Sequence, residues 1–96
     1  MRVAGRERLD AFCRKQADAR KWIENWLADV ESVAWRTPQE IRDRYASASF
    51  LPDGLVIFNV KGNAYRLEVA VAYGAQVIAV RWIGTHRAYD ERNKRR

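Results

Sequence analysis

The run Leu55-Val56-Ile57-Phe58-Asn59-Val60-Lys61-Gly62-Asn63-Ala64-Tyr65-Arg66-Leu67-Glu68-Val69-Ala70-Val71-Ala72-Tyr73-Gly74-Ala75-Gln76-Val77-Ile78-Ala79-Val80-Arg81-Trp82-Ile83 decides the fold. Apolar residues recur at alternate positions, the spacing of strands that bury one face. The run is broken at Gly62-Asn63 and Gly74-Ala75, which suit tight turns. This predicts strands over 55–60, 64–73 and 76–83, joined as an antiparallel meander. Two-residue loops set Lys61 opposite Ala64 and Tyr73 opposite Gln76, and every other pair follows. One face then carries Val56, Phe58, Val60, Tyr65, Leu67, Val69, Val71, Ile78, Val80 and Trp82, an apolar surface that needs cover. The other carries Asn59, Lys61, Arg66, Glu68 and Arg81, with Arg66 opposite Asn59 and Glu68 opposite Arg81. Ala70, Ala72 and Ala79 leave room beside them for a ligand.

The cover comes from upstream. Met1 to Ala4 reads as a short strand, and Leu9, Phe12 and Cys13 as the apolar side of a helix over 6–16. Trp22, Ile23, Trp26, Leu27, Val30, Val33 and Ala34 form a stripe along a second helix, with Asp18 as its expected N-cap. Thr37-Pro38-Gln39-Glu40 has the form of a capping box and starts a third helix ending near Tyr45. Pro52-Asp53-Gly54 is a turn. Downstream, Gly84-Thr85 supplies a turn and an N-cap for a short last helix, in which His86 and Tyr89 share a side. Helices first and strands second indicate an α+β domain over 1–91, followed by a basic tail at 92–96.

A chain of 96 residues with 48% hydrophobic composition supports one packed domain. The formal charge of +6 favours a polyanionic partner, yet it falls to +2 once Arg92, Lys94, Arg95 and Arg96 are set aside. Cys13 and His86 are the only residues of their types, so neither an internal disulfide nor a Cys/His zinc site can be assembled. Chemistry is therefore expected to be metal-independent or carboxylate-based, with no cofactor. With neither a signal-like apolar stretch nor a membrane-length one, the expected location is the cytoplasm, without membrane attachment. Cys13, Trp22, Trp26, Trp35 and Trp82 read as core residues.

Two stretches, Val56 to Leu67 and Ile83-Gly84-Thr85-His86-Arg87-Ala88-Tyr89-Asp90, resemble the HigB family of RelE-like toxins. Weaker likeness extends over Met1-Arg2-Val3, the Trp26 helix, Trp35-Arg36-Thr37-Pro38 and Ser47-Ala48-Ser49-Phe50. The chain departs from the family pattern after Asp90. The resemblance implies N-terminal helices on one face of a small curved antiparallel sheet, with RNA held on the other face beside the C-terminal segment. It also implies mRNA cleavage, usually in the ribosomal A site, by attack of a ribose 2′-hydroxyl on its own 3′ phosphate. A cognate helix-turn-helix antitoxin, HigA-like, is the implied protein partner, and mRNA on the ribosome the implied target.

Cleavage of this kind needs a group to take the 2′-hydroxyl proton, cations to hold the developing charge, and an acid for the leaving 5′ oxygen. Histidine is the side chain best suited to proton transfer near neutrality, which makes His86 the first candidate. Tyr89 can donate a hydrogen bond, act as acid or stack on a base; its bland alternative is a half-buried anchor. Arg66 matches the family's strand arginine and suits a bidentate phosphate clamp, with Lys61 as an added point charge. Asn59, Asn63, Arg81, Glu68 and Asp90 complete the expected RNA-binding set. Glu68 is expected to orient Arg81, Asp90 either to hold His86 or to face the helix dipole, and Asn63 either to bind RNA or to occupy a positive-φ turn position. The competing reading is a toxin of the same fold that inhibits a target such as gyrase by binding alone, and a third is a decayed toxin that still binds its antitoxin.

Overall fold

The computed structural model describes residues 1–94. Its elements are β1 (Arg2–Ala4), α1 (Arg6–Lys15), α2 (Arg20–Ser32), α3 (Pro38–Arg44), β2 (Ser49–Phe50), β3 (Leu55–Val60), β4 (Tyr65–Ala72), β5 (Val77–Thr85) and α4 (His86–Lys94). The fold is α+β, as expected. The sheet runs β1-β5-β4-β3-β2, with β1 parallel to β5 and the other neighbours antiparallel. The predicted meander is thus its centre, and two short strands extend its edges.

Helix entries show how local chemistry sets the elements. Gly5 adopts φ 86, and a Cβ there would lie 3.0 Å from the Val80 carbonyl oxygen, so glycine lets α1 start hard against β5. Thr37 caps α3 by accepting the Glu40 N–H at 3.3 Å, with Pro38 in the first turn. Glu40 reaches back one residue further than the reciprocal box requires, to the Arg36 N–H at 2.6 Å. Asp18 does not cap the second helix. A 3₁₀ turn over Ala17–Ala19 leads into α2 without any side-chain cap, and the Asp18 carboxylate turns to Tyr65 and Lys61.

The core lies between the helices and one sheet face. Leu9, Cys13, Ile23, Trp26, Val30 and Ile41 pack over Val56, Phe58, Val60, Leu67, Val69, Ile78 and Val80. Trp26 and Tyr45 both meet Phe58 edge-on, at centroid distances of 5.5 and 5.2 Å. Trp35 is buried and Trp22 half-buried against this cluster, but Trp82 is not part of it.

The predicted register holds over β3/β4, where Asn59 faces Arg66, and over the first half of β5 against β4, where Val69 faces Val80. It then shifts between Glu68 and Val69: Glu68 faces Trp82, and Arg66 faces Gly84. Arg81 is the extra residue of a β-bulge, which corrects the expected Glu68–Arg81 pair. At the first hairpin the positive φ angles belong to Lys61 (53) and Gly62 (70), not to Asn63. The expected boundary at 91/92 falls inside α4: Arg92 and Lys94 are helical, and Arg95 and Arg96 lie outside the described residues.

Candidate functional site

The bulge at Arg81 moves Trp82 out of the apolar series and onto the face that carries Glu68. Gly84, two residues on and buried, makes room for it, since a Cβ there would stand 2.6 Å from two indole carbons. The indole meets the Tyr89 ring at 5.9 Å between centroids and the Arg92 guanidinium at 5.1 Å. Arg92 in turn donates to Glu68 at 2.8 Å. Glu68 is the one buried charged residue among the described residues, and Arg92 brings it a full counter-charge. A chain of contacts therefore runs from β4 through α4 to the ring of Tyr89. None of Trp82, Gly84 or Arg92 stood out as a site residue in the sequence. The usable signal was the adjacent apolar pair Trp82-Ile83 followed by Gly84, which breaks strict alternation.

His86 opens α4 at the end of β5. Thr85 Oγ1 accepts the Ala88 N–H at 3.0 Å, the expected cap, and the His86 N–H donates to the Ala64 carbonyl at 3.1 Å. The second bond ties the histidine to the hairpin end, two residues from Arg66. Its Nδ1 lies 3.1 Å from Asp90 Oδ2 yet makes no aligned hydrogen bond among the described residues. Asp90 thus stands where it attracts the ring once the ring is protonated.

Arg66 is half-buried and held from two sides. Its Nη2 donates to Asn63 Oδ1 at 2.6 Å and its Nη1 to the Tyr65 carbonyl at 3.2 Å. Asn63 therefore orients the guanidinium, and Nε and one hydrogen on each terminal nitrogen keep donor capacity for an anion.

The remaining expected residues are not gathered here. Lys61 forms an ion pair with Asp18 at 3.1 Å, on the carboxylate that also accepts the Tyr65 hydroxyl at 2.7 Å. Because Tyr65 belongs to the core face, this places the Lys61 ammonium on the helix side of the hairpin. The hydrogen bonds from Tyr65 and Lys61 hold the Asp18 carboxyl below its ordinary range, and the same carboxylate pushes the Tyr65 hydroxyl up. Asn59 donates to the Ser47 carbonyl at 3.4 Å, a structural tie to the segment before β2. Arg81 is exposed, and among the described residues its side chain has no hydrogen bond or ion pair.

Helices on one face of a mostly antiparallel sheet, with a C-terminal helix folded onto the other, define a RelE-like toxin architecture. A family model for HigB toxins, the RelE-like toxic component of a toxin-antitoxin system, matches residues 19–92, and the chain belongs to that family. The match takes in every residue gathered at the site. Among curated proteins, none matches the chain. As the toxin component of such a system, the protein has a cognate antitoxin as its partner. Among the described residues, no helix is long and apolar enough to cross a membrane.

Proposed function

We propose that the protein is an endoribonuclease that cleaves mRNA on the ribosome and so stops translation. The observation that supports this reading is that Arg66 lies opposite Gly84 on the sheet face away from the core, the His86 N–H is tied to the Ala64 carbonyl two residues from Arg66, and the Tyr89 ring meets Trp82. A phosphate-matching cation beside a proton-transfer group and a hydroxyl-bearing ring is what internal phosphoryl transfer needs. A toxin acting by binding alone has no use for the combination.

In the proposed reaction the ribose 2′-oxygen attacks the adjacent phosphorus, and the bond from phosphorus to the 5′ oxygen breaks. The 2′-hydroxyl proton passes to a base, and a second proton reaches the departing oxygen. The products are a 2′,3′-cyclic phosphate and a 5′-hydroxyl end. Arg66 holds the phosphate oxygens as charge builds on them, with Asn63 fixing its orientation. His86 carries a proton, and the Asp90 carboxylate lies 3.1 Å from its Nδ1. Tyr89, in ring contact with Trp82, gives the second proton to the departing oxygen or stacks on a base. Lys61 is left out of the reacting set because its ammonium is engaged with Asp18.

The test is induced expression of wild type, Arg66→Ala, His86→Ala and Tyr89→Ala, with mapping of mRNA 5′ ends. Wild type should give new 5′-hydroxyl ends and growth arrest, and Arg66→Ala should lower cleavage by about a hundredfold or more. Growth arrest in all three variants without new ends overturns the endonuclease.

A further inference from the structure

A second surface adjoins this site and shares with it Trp82 alone of the residues named above. α1 lies along β5, and β1 pairs with only the first part of that strand, from Val77 to Ala79. Beyond it, the outer edge of β5 and one stripe of α1 enclose a groove of about 290 Å³ lined by Arg8, Ala11, Phe12, Lys15, Trp82 and Ile83. The four helix residues follow the i, i+3, i+4, i+7 spacing of a single face. The fully buried residues of the helix, Leu9 and Cys13, lie outside this stripe, and only its Phe12 is partly buried against the core. Two cations thus flank a small residue and an aromatic one. Among the described residues, neither the Arg8 nor the Lys15 side chain has a hydrogen bond or an ion pair, whereas Arg6 on the same helix is matched to Glu31. Phe12 is half-buried, its ring edge-on to Tyr65 at 5.1 Å.

Trp82 belongs to both surfaces: its ring meets that of Tyr89 at a tilt of 47°, and the residue also lines the groove. A strand lying across Tyr89 would reach Trp82, the residue common to both. The chemistry of the lining matches a single-stranded polynucleotide, with an aromatic platform for a base and unmatched cations for the flanking phosphates.

We propose that the groove between α1 and β5 is a subsite for a nucleotide of the RNA strand flanking the cleaved bond, with its base against Phe12 and Trp82 and its phosphates met by Arg8 and Lys15. This rests on the endonuclease reading, and binding is separable from cutting. The occupant is placed as RNA because, among the described residues, both cations lack carboxylate partners, and because Trp82 both lines the groove and meets Tyr89.

The experiment uses the full chain carrying His86→Ala to prevent cutting, and two RNA probes: a trinucleotide, and a decanucleotide with the same centre extended on both sides. Binding is titrated over a range of salt, with and without the double change Arg8→Glu and Lys15→Glu; both positions are exposed, so the fold should be kept. The longer RNA should bind more tightly than the trinucleotide. The double variant should weaken the longer RNA on the order of tenfold or more and flatten its salt dependence by about 1.4, the value for two phosphates on a single strand. The trinucleotide should be little affected, and 4-thiouridine in the flanking positions should crosslink to Phe12 or Trp82. Equal binding of the longer RNA by both forms, or no binding of any RNA, overturns the subsite. So does a double variant that loses only its antitoxin, which would make the groove a protein-docking surface. If wild type fails to cut mRNA on programmed ribosomes while the crosslinks persist, the endonuclease reading fails and the binding site stands.

Discussion

The Arg92 guanidinium donates to the Glu68 carboxylate across 2.8 Å, fastening the far end of α4 to the middle of β4. Glu68 is 2% exposed, so its charge needs compensation inside the protein. Arg92→Ala should lower stability in urea unfolding by about 1.5–3 kcal/mol, the range for a hydrogen bond to a charged group. Lys94→Ala, whose side chain is exposed, should stay within about 0.5 kcal/mol of wild type. Equal small effects would mean that α4 is not fastened this way.

Gly84→Ala tests the placement of Trp82. The added methyl would stand 2.6 Å from the indole and must displace it, and with it the support behind Tyr89. RNA cleavage should fall by about tenfold to a hundredfold, as for an active group misplaced by about an ångström. Tryptophan fluorescence should shift while far-ultraviolet circular dichroism stays that of wild type. Unchanged cleavage with a shifted spectrum would show that Tyr89 works without its neighbour.

Arg66 and Asn63 should separate by size of effect. Arg66→Lys keeps the charge but loses the planar fork, and cleavage should fall nearly as far as in Arg66→Ala. Asn63→Ala removes one orienting bond of 2.6 Å, so a smaller loss of about tenfold is expected. Single-turnover cleavage rates on programmed ribosomes would decide. A fully active Arg66→Lys would reduce Arg66 to a point charge.

Asp18 gives a pH dependence whose sign is set by its lowered pKa. A folded-state value below the unfolded one stabilises the protein above the ordinary aspartate range, and this is lost as pH falls through the folded value. Wild type should therefore lose stability between neutral and acid pH more steeply than Asp18→Asn, which has no carboxyl to protonate. Tyr65, raised by the same carboxylate, works the opposite way: its contribution is present below the ordinary tyrosine range and lost as alkali ionises it. Urea midpoints across the two limbs check both signs, and parallel acid limbs for wild type and Asp18→Asn would refute the first.

Trp26 is 1% exposed and its indole N–H has no partner among the described residues. Trp26→Ala should cost about 3–5 kcal/mol by opening a cavity beside Phe58. Trp26→Phe should cost much less, since it removes an unsatisfied donor along with the lost volume. Thermal unfolding of the two variants would show the difference.

What the sequence made legible followed from local periodicity. Alternation from Leu55 revealed the meander, its inner face through Val80 and the Asn59–Arg66 pairing, and the cap at Thr85 was readable from the residue alone. The pairing of β1 with β5 joins segments far apart in the chain, and nothing in Arg2-Val3-Ala4 names its partner. The bulge was hidden for a different reason. One extra residue in β5 lets Trp82 sit at an apolar position of the alternation while facing the other side, so the pattern reads as unbroken until Ile83. Lys61 was misplaced because alternation assigns a face only within a strand, and its positive φ removes it from the strand. Arg92 looked like part of a charge run because its partner, Glu68, lies in another element.

Since β5 carries one residue more than the strand beside it, its two halves are open to selection on different terms. Up to Val80, a change at an inward position is a change to the packed interior and is judged by whether the protein folds. At Trp82, a side chain can be exchanged for new recognition properties while the interior is left intact. Length changes fall unequally on this arrangement. Loss of Arg81 would make the ladder regular and still leave Trp82 opposite Glu68, so the outward surface survives a deletion. A residue gained in β4 between Glu68 and Val69 would instead give Arg81 a partner and, by strict alternation, turn Glu68 and Trp82 together toward the interior. Lineages of this fold should therefore tolerate shortening at the bulge far better than lengthening opposite it.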